Sequence, residues 1–215
     1  MEASRIALIF GATGLVGGHL VQELIKDPDY HQVKIFGRGD YSVSDPKIEY
    51  HRIDFDKPDE YSAWLRGDDL FICLGTTIRK AGSVAAMERI DRDYPVTIAR
   101  LAFANGAGRI AVVSSMGANK KSRNYYLRIK GEMEEGIRDI GFGKTVIVRP
   151  SMLMGKRKEF RFGERVAKVM LSLYNPFMIG WARKYRGIQG GTVASAMIRL
   201  IKSEANRTIF ESAEL

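Results

Sequence analysis

Apolar residues along this chain fall in short continuous runs, and between the runs they recur every three or four positions. RIALIF (5–10) is apolar almost throughout and predicts a short strand buried on both faces. VKIFGR (33–38) predicts a second strand, and KIEYHRI (47–53) alternates as a third would, ending at Asp54. DLFICLG (69–75) is nearly unbroken, as a central strand should be, and RIAVVSS (109–115) and KTVIVRP (144–150) supply the fifth and sixth. Helical spacing occupies 15–26, 83–105 and 120–140, the last ending near Gly141. Pro95 inside the second of these predicts a kink or a break just before it. Residues 156–203 read as mostly helical, and RTIFES (207–212) as a short terminal strand. Strands alternating with helices, with no repeat or linker, predict an α/β fold. Its architecture is a doubly wound parallel sheet in one domain, 1–215, with a small C-terminal extension.

The first strand leads directly into Gly11, Gly14 and Gly17, spaced G-x-x-G-x-x-G, and then into a helix. The first glycine permits a tight turn, the second lets backbone approach a pyrophosphate, and the third lets helix pack on strand. Amides opening the helix would face the phosphates at its positive end. Strand, glycines and helix in that order therefore predict a dinucleotide site. The other strand ends carry small or polar residues: Gly37-Arg38, Asp54, Gly75-Thr76-Thr77 and Ser114-Ser115. In a parallel sheet all of these line one crevice with Gly11. An NAD site usually has a carboxylate about twenty residues beyond the last glycine. Here Gly37 and Arg38 occupy that place, and no acid appears before Asp40. A guanidinium suits a 2′-phosphate, so NADP(H) is preferred over NAD(H). Asp54 is a candidate for the adenine edge, or for the cap of a following helix.

Tyr126 and Lys130 lie four residues apart, which on a helix is one face. A lysine ammonium beside a phenol favours the phenolate, so this tyrosine can donate a proton to a carbonyl oxygen or take one from an alcohol. Lys130 could also hold ribose hydroxyls of the cofactor. The same spacing recurs at Tyr30 and Lys34, where it straddles the loop into the second strand and carries no meaning. Tyr126 is distinguished by following the strand that ends in Ser114 and Ser115, either of which can polarise a carbonyl. Ser115 is preferred, being further out of the strand. Cys73, inside an apolar run, reads as a core residue. His19, His31 and His51 do not cluster with acids or with the cysteine, so no metal is expected.

Composition narrows the setting. A chain of 215 residues, 45% hydrophobic, supports a sizeable core rather than disorder. One cysteine excludes an internal disulfide framework, and no leader precedes the first strand, so a cytoplasmic protein is expected. The net charge of +9 concentrates partly in 156–186, without a nucleic-acid motif. Within it, VAKVMLSLYNPFMIGW (166–181) leaves three roles open: a helix buried on the sheet, a lid or apolar substrate wall, or contact with a membrane surface or protein partner. Monomer and homodimer both fit.

GATGLVG, Asp54, VVSS, YLRIK and VIVRPS together resemble the short-chain dehydrogenase/reductase superfamily over nearly the whole chain. The chain is most similar to its atypical branch represented by the Tat-interacting oxidoreductases. ICLGTTIRKAGS (72–83), SSMGANKKSRNYYLRIKGEMEE (114–135) and RPSMLMGKRKEFR (149–161) carry that likeness. The resemblance implies a Rossmann fold and NADPH-dependent carbonyl reduction with Ser115, Tyr126 and Lys130 as catalytic residues. It implies cofactor contacts from Gly11, Thr13, Gly14, Leu15, Val16 and Gly17, then from Arg38, Asp54 and Phe55. Leu74, Gly75, Thr76 and Thr77 follow, with Ser114, Lys130, Arg149, Pro150 and Ser151. Residues 151–186 would shape the substrate side, for a small or elongated carbonyl compound. A regulatory cofactor-binding protein and a sugar-nucleotide epimerase or dehydratase are the alternatives. One departure is that Leu74-Gly75-Thr76-Thr77 replaces the usual N-A-G turn, so the asparagine role there does not transfer. Nor does position assign a proton-relay role to Asn105, Asn119 or Asn124.

Overall fold

The computed structural model describes residues 4–155 and 187–215. Strands β1 (Arg5–Phe10), β2 (Tyr30–Gly37), β3 (Ile48–Arg52), β4 (Asp69–Ile72), β5 (Arg109–Val113) and β6 (Lys144–Arg149) lie in the central sheet. A parallel pair follows, β7 (Leu153–Met154) with β8 (Ile188–Gln189), which the hydrophobic pattern is too short to announce. β9 (Ile209–Glu211) then returns to the sheet, giving the order β3-β2-β1-β4-β5-β6-β9 with every pairing parallel. The order reverses between β1 and β4, which makes their carboxyl ends the switch point at which such sheets bind ligands.

Side-chain alternation explains the layering. Ala7, Ile9, Ala111, Val113, Val146 and Val148 point to one face, under α1 (Leu15–Leu24) and the C-terminal helix Gly190–Lys202. Leu8, Phe10, Ile110, Val112 and Ile147 point to the other, under the two helices that follow β4 and β5. The central strands bury both faces, which is why their runs are apolar, whereas the edge strand β3 is half-buried and alternates.

α2 (Pro58–Tyr61) precedes β4, and the stretch after β4 is helical in pieces: α3 (Ile78–Ala81), α4 (Val84–Glu88) and α5 (Tyr94–Ala104). Between α4 and α5, Arg89–Asp93 forms a π-helical turn. The discontinuity expected before Pro95 is therefore one widened turn, and Pro95 falls in the first turn of α5 where its missing amide costs nothing. α6 (Tyr125–Arg138) starts later than the spacing predicts, because Asn124 caps it by accepting from the Leu127 amide at 3.1 Å. The final described helix, α7, is Gly190–Lys202. Tyr30 and Lys34 both lie within β2, so this second Y-x-x-x-K is a strand pair rather than a loop-spanning one. Tyr30 is wholly buried and donates to Asp69 at 2.5 Å, which Arg109 also grips.

Candidate functional site

The glycine turn fits its place between β1 and β4. Gly11 has φ +89°, and a β-carbon there would sit 2.6 Å from the Cys73 carbonyl oxygen at the end of β4. A β-carbon on Gly17 would come within 2.2 Å of the Gly11 carbonyl, so α1 rests directly on the turn. A β-carbon on Gly14 would meet the Gly11 oxygen at 3.2 Å and the Cys73 oxygen at 3.9 Å, and Gly14 is exposed at the N-cap of α1. Two glycines are thus consumed by packing, and the middle one keeps open the approach to the helix amides. Thr13 beside it is exposed, Leu15 half-buried and Val16 buried.

Around the crevice the other strand ends fall as the parallel order requires. Arg38 is exposed just past β2, and its charge acts on Asp56 and Tyr94 across the gap. Asp56 accepts from Tyr94 at 2.5 Å and pairs with Arg89, which places a second guanidinium beside the same carboxylate. These hydrogen bonds, Tyr94 first, hold the Asp56 carboxyl below its ordinary range. Asp54 is exposed and spends one oxygen on the Asp56 amide at 3.0 Å, shaping the turn into α2, while Phe55 is buried against Phe10. Past β4, Leu74 packs partly into the core, Gly75 is exposed, and Thr77 caps α3. Cys73 lies just past β4 and is half-buried against the core rather than inside the strand, and its burial pushes the thiol up to about 12.

The densest chemistry sits where α6 meets the π turn. Lys130 is 2% exposed, and its ammonium lies 2.8 Å from Asp91 Oδ1, a carboxylate that is fully buried. Asp91 Oδ2 accepts from the Thr76 amide at 3.0 Å. Burial alone would push Lys130 towards neutrality; the Asp91 charge, seconded by Tyr126 and Glu134, outweighs it and holds the ammonium above its ordinary value. Tyr126 is half-buried one helical turn away from Lys130 on the same helix. Among the described residues no hydrogen bond engages its hydroxyl. Tyr125 instead packs under the Arg128 guanidinium, 5.0 Å from ring centre to carbon. A second ion pair, Arg92 to Glu132 at 2.8 Å, joins the π turn to α6.

The two serines part ways. Ser114 is buried and donates to Glu134 at 2.5 Å, and Arg149 grips the same carboxylate while reaching Glu211 at 3.0 Å. Both side chains expected at the cofactor, those of Ser114 and Arg149, thus also bond Glu134. Pro150 is buried and its carbonyl accepts from the Met116 amide, with Ser151 just beyond. Ser115 is half-buried, and among the described residues no hydrogen bond engages its hydroxyl.

None of the three asparagines serves Lys130. Asn105 donates to Ser62 and Leu101, Asn119 accepts from the Lys121 amide, and Asn124 caps α6. Asp91 takes that place and was missed by the sequence reading, as was Glu134. A signal existed for both. Met87, Asp91, Pro95 and Ile98 share one buried helical stripe, and Ile129, Met133, Glu134 and Ile137 share another. A carboxylate on an apolar stripe marks a buried ion.

The turn, the crevice and α6 define a nucleotide-binding α/β protein. The chain belongs to the NAD(P)H-binding family, which it matches over residues 11–169. It is 33% identical over 204 residues to the protein HTATIP2 of Rattus norvegicus, spanning 93% of this chain and 82% of that one. It is 31% identical over 212 residues to the mitochondrial protein fmp52 of Emericella nidulans, spanning 94% and 90%. Among solved structures it shares its fold with the Bordetella bronchiseptica enzyme WbmH in complex with NAD+ (TM-score 0.73, 11% identity, 96% of this chain and 75% of that one). A short-chain dehydrogenase family protein of Francisella tularensis matches at TM-score 0.69 and 15% identity, with 99% of both chains covered. The cytoplasmic placement expected above is corrected by these relatives, since several fungal ones are named mitochondrial. No helix among the described residues is long and apolar enough to cross a membrane. The expected lid and wall residues 156–186 lie outside the described residues.

Proposed function

We propose that this protein is an NADPH-dependent reductase of a small or elongated carbonyl compound, with Tyr126 as proton donor. The observation that carries the reading is Lys130. A charged ammonium is held almost fully buried by Asp91, one turn from Tyr126 and tied through Asp91 to the strand-end amide of Thr76. Burying a charge is costly, and a site of this kind gives it work to do.

A bound dihydronicotinamide would supply the hydride for the carbonyl carbon. The protein's part is proton transfer and positioning. Ser115 would donate a hydrogen bond to the carbonyl oxygen and polarise it. As the carbon is reduced, the Tyr126 O–H bond breaks and an O–H bond forms on the substrate. The phenolate left on Tyr126 then regains a proton from water. Gly14 and the α1 amides would hold the pyrophosphate, and Arg38 the 2′-phosphate.

The test is a fluorescence titration with NADPH and NADH, followed by NADPH consumption on a panel of aldehydes and ketones. The reading expects tighter NADPH binding, measurable turnover, and a loss of about 10²-fold or more in kcat for Tyr126→Phe with cofactor affinity kept. Cofactor binding without turnover on any carbonyl, and a silent Tyr126→Phe, would turn the assignment to a regulatory cofactor-binding protein. Purified protein carrying tightly bound NAD(P) and needing no added NADPH would turn it to an epimerase or dehydratase. The names of the fungal relatives support a mitochondrial setting, which subcellular fractionation tests.

A further inference from the structure

Asp91 is a departure that the reductase chemistry does not by itself require. It is fully buried on a π-helical turn, a distortion that fixes one residue's direction at the expense of regular hydrogen bonding. Its two oxygens are divided: Oδ1 lies 2.8 Å from the Lys130 ammonium, and Oδ2 accepts from the Thr76 amide at 3.0 Å. The turn is pinned to α6 a second time by Arg92 and Glu132, so this spacing is not a loose surface contact.

A lone lysine ammonium beside Tyr126 would favour the phenolate. A phenolate accepts protons and so serves the oxidation of an alcohol, whereas reduction of a carbonyl needs the phenol. We infer that Asp91 is a positioning residue that compensates the Lys130 charge and keeps Tyr126 protonated at neutral pH, biasing the site towards carbonyl reduction. The inference rests on the assignment of Tyr126 as proton donor.

The carboxylates that act most strongly on Lys130 are Asp91 on the π turn and Glu134 on its own helix. Glu134 is already neutralised by Arg149, at 2.6 Å. Asp91 is therefore the anion available to offset Lys130. The carboxylate does so without leaving Lys130 free to swing, since it holds the ammonium at a short distance while Thr76 anchors the carboxylate.

The test follows Tyr126 itself. Full-length protein is labelled with tyrosine carrying ¹³C at the phenolic carbon, and the Tyr126 resonance is assigned by its loss in Tyr126→Phe. Its titration is recorded in wild type, in Asp91→Asn and in the double variant Asp91→Asn/Lys130→Gln. Wild-type Tyr126 should remain a phenol through neutral pH, and Asp91→Asn should lower its midpoint by about one unit or more. The double variant, in which both charges are gone, should return to within about half a unit of wild type. An unchanged midpoint in Asp91→Asn would overturn the inference. If that single variant does not fold, Lys130→Gln is read against the double variant. A midpoint that rises by about one unit or more in Lys130→Gln and returns in the double variant supports compensation, whereas no rise in Lys130→Gln, or a rise kept in the double variant, overturns it. None of these readings needs turnover. Failure to find any carbonyl substrate would count against the reductase assignment while leaving the titration to judge Asp91.

Discussion

Arg149 meets Glu134 edge to edge, Nε to Oε1 at 2.9 Å and Nη2 to Oε2 at 2.6 Å, joining the end of β6 to the middle of α6. Ser114 adds a hydrogen bond from the end of β5 to the same carboxylate. Three elements around the crevice thus converge on one buried acid.

Glu134→Gln should be strongly destabilising. It leaves the guanidinium facing a neutral amide at a site where Glu134 is 2% exposed, and breaking such pairs costs about 3 kcal/mol or more. Urea unfolding monitored by circular dichroism measures the loss. Ser114→Ala removes one donor to the same buried carboxylate and should cost about 2 kcal/mol.

Gly17 and Gly14 should separate by role. Gly17→Ala forces a β-carbon to 2.2 Å from the Gly11 carbonyl, so α1 must lift and the melting temperature should drop sharply. Gly14→Ala meets its nearest atom at 3.2 Å and should fold with little loss. Its NADPH affinity should fall by about tenfold or more, since the methyl group occupies the pyrophosphate approach. Thermal melts and cofactor titrations on both variants make the comparison.

Cys73 should be unreactive in the native state. With its thiol pushed up to about 12 by burial, almost none is thiolate at pH 8, and thiolate is the nucleophile. Because the chain has one cysteine, a thiol-specific chromogenic reagent should score close to zero per native chain and one per denatured chain.

Acid should loosen the far end of the sheet. Lys202 reaches Asp27 at 2.5 Å and Asp29 at 2.6 Å, and its hydrogen bond holds the Asp29 carboxyl below the ordinary value. A carboxyl lowered by folding contributes stability above its unfolded value, which is lost as pH falls through the folded one. Wild-type unfolding midpoints should therefore decline from about pH 4 downwards, and Lys202→Met should flatten that decline. Urea midpoints collected between neutral and acid pH give the two curves.

Arg38→Ala should weaken NADPH binding by about tenfold or more and leave NADH binding nearly unchanged, because a guanidinium can grip only the cofactor that carries a 2′-phosphate. Equal losses for both cofactors would assign Arg38 to the adenine or to the fold instead.

Much of this protein is written in short stretches of chain. The strand runs, the glycine spacing and the Tyr126–Lys130 interval depend on neighbours within a few residues, so period and turn chemistry predict them without knowledge of the rest. The parallel order then follows from strands alternating with helices. What sequence alone could not decide is which distant residues share a buried environment. Whether Ser114 or Ser115 keeps its hydroxyl free depends on Glu134, twenty residues further on, and on Arg149 from another strand. Asp91 becomes the partner of Lys130 only because the chain widens by one π turn before Pro95 and because α6 docks beside it. The short β7–β8 pair and the rest of Gly17 on Gly11 likewise exist only in three dimensions. Charge pairing in a low-dielectric interior is set by ångström distances between elements, and no local pattern encodes those.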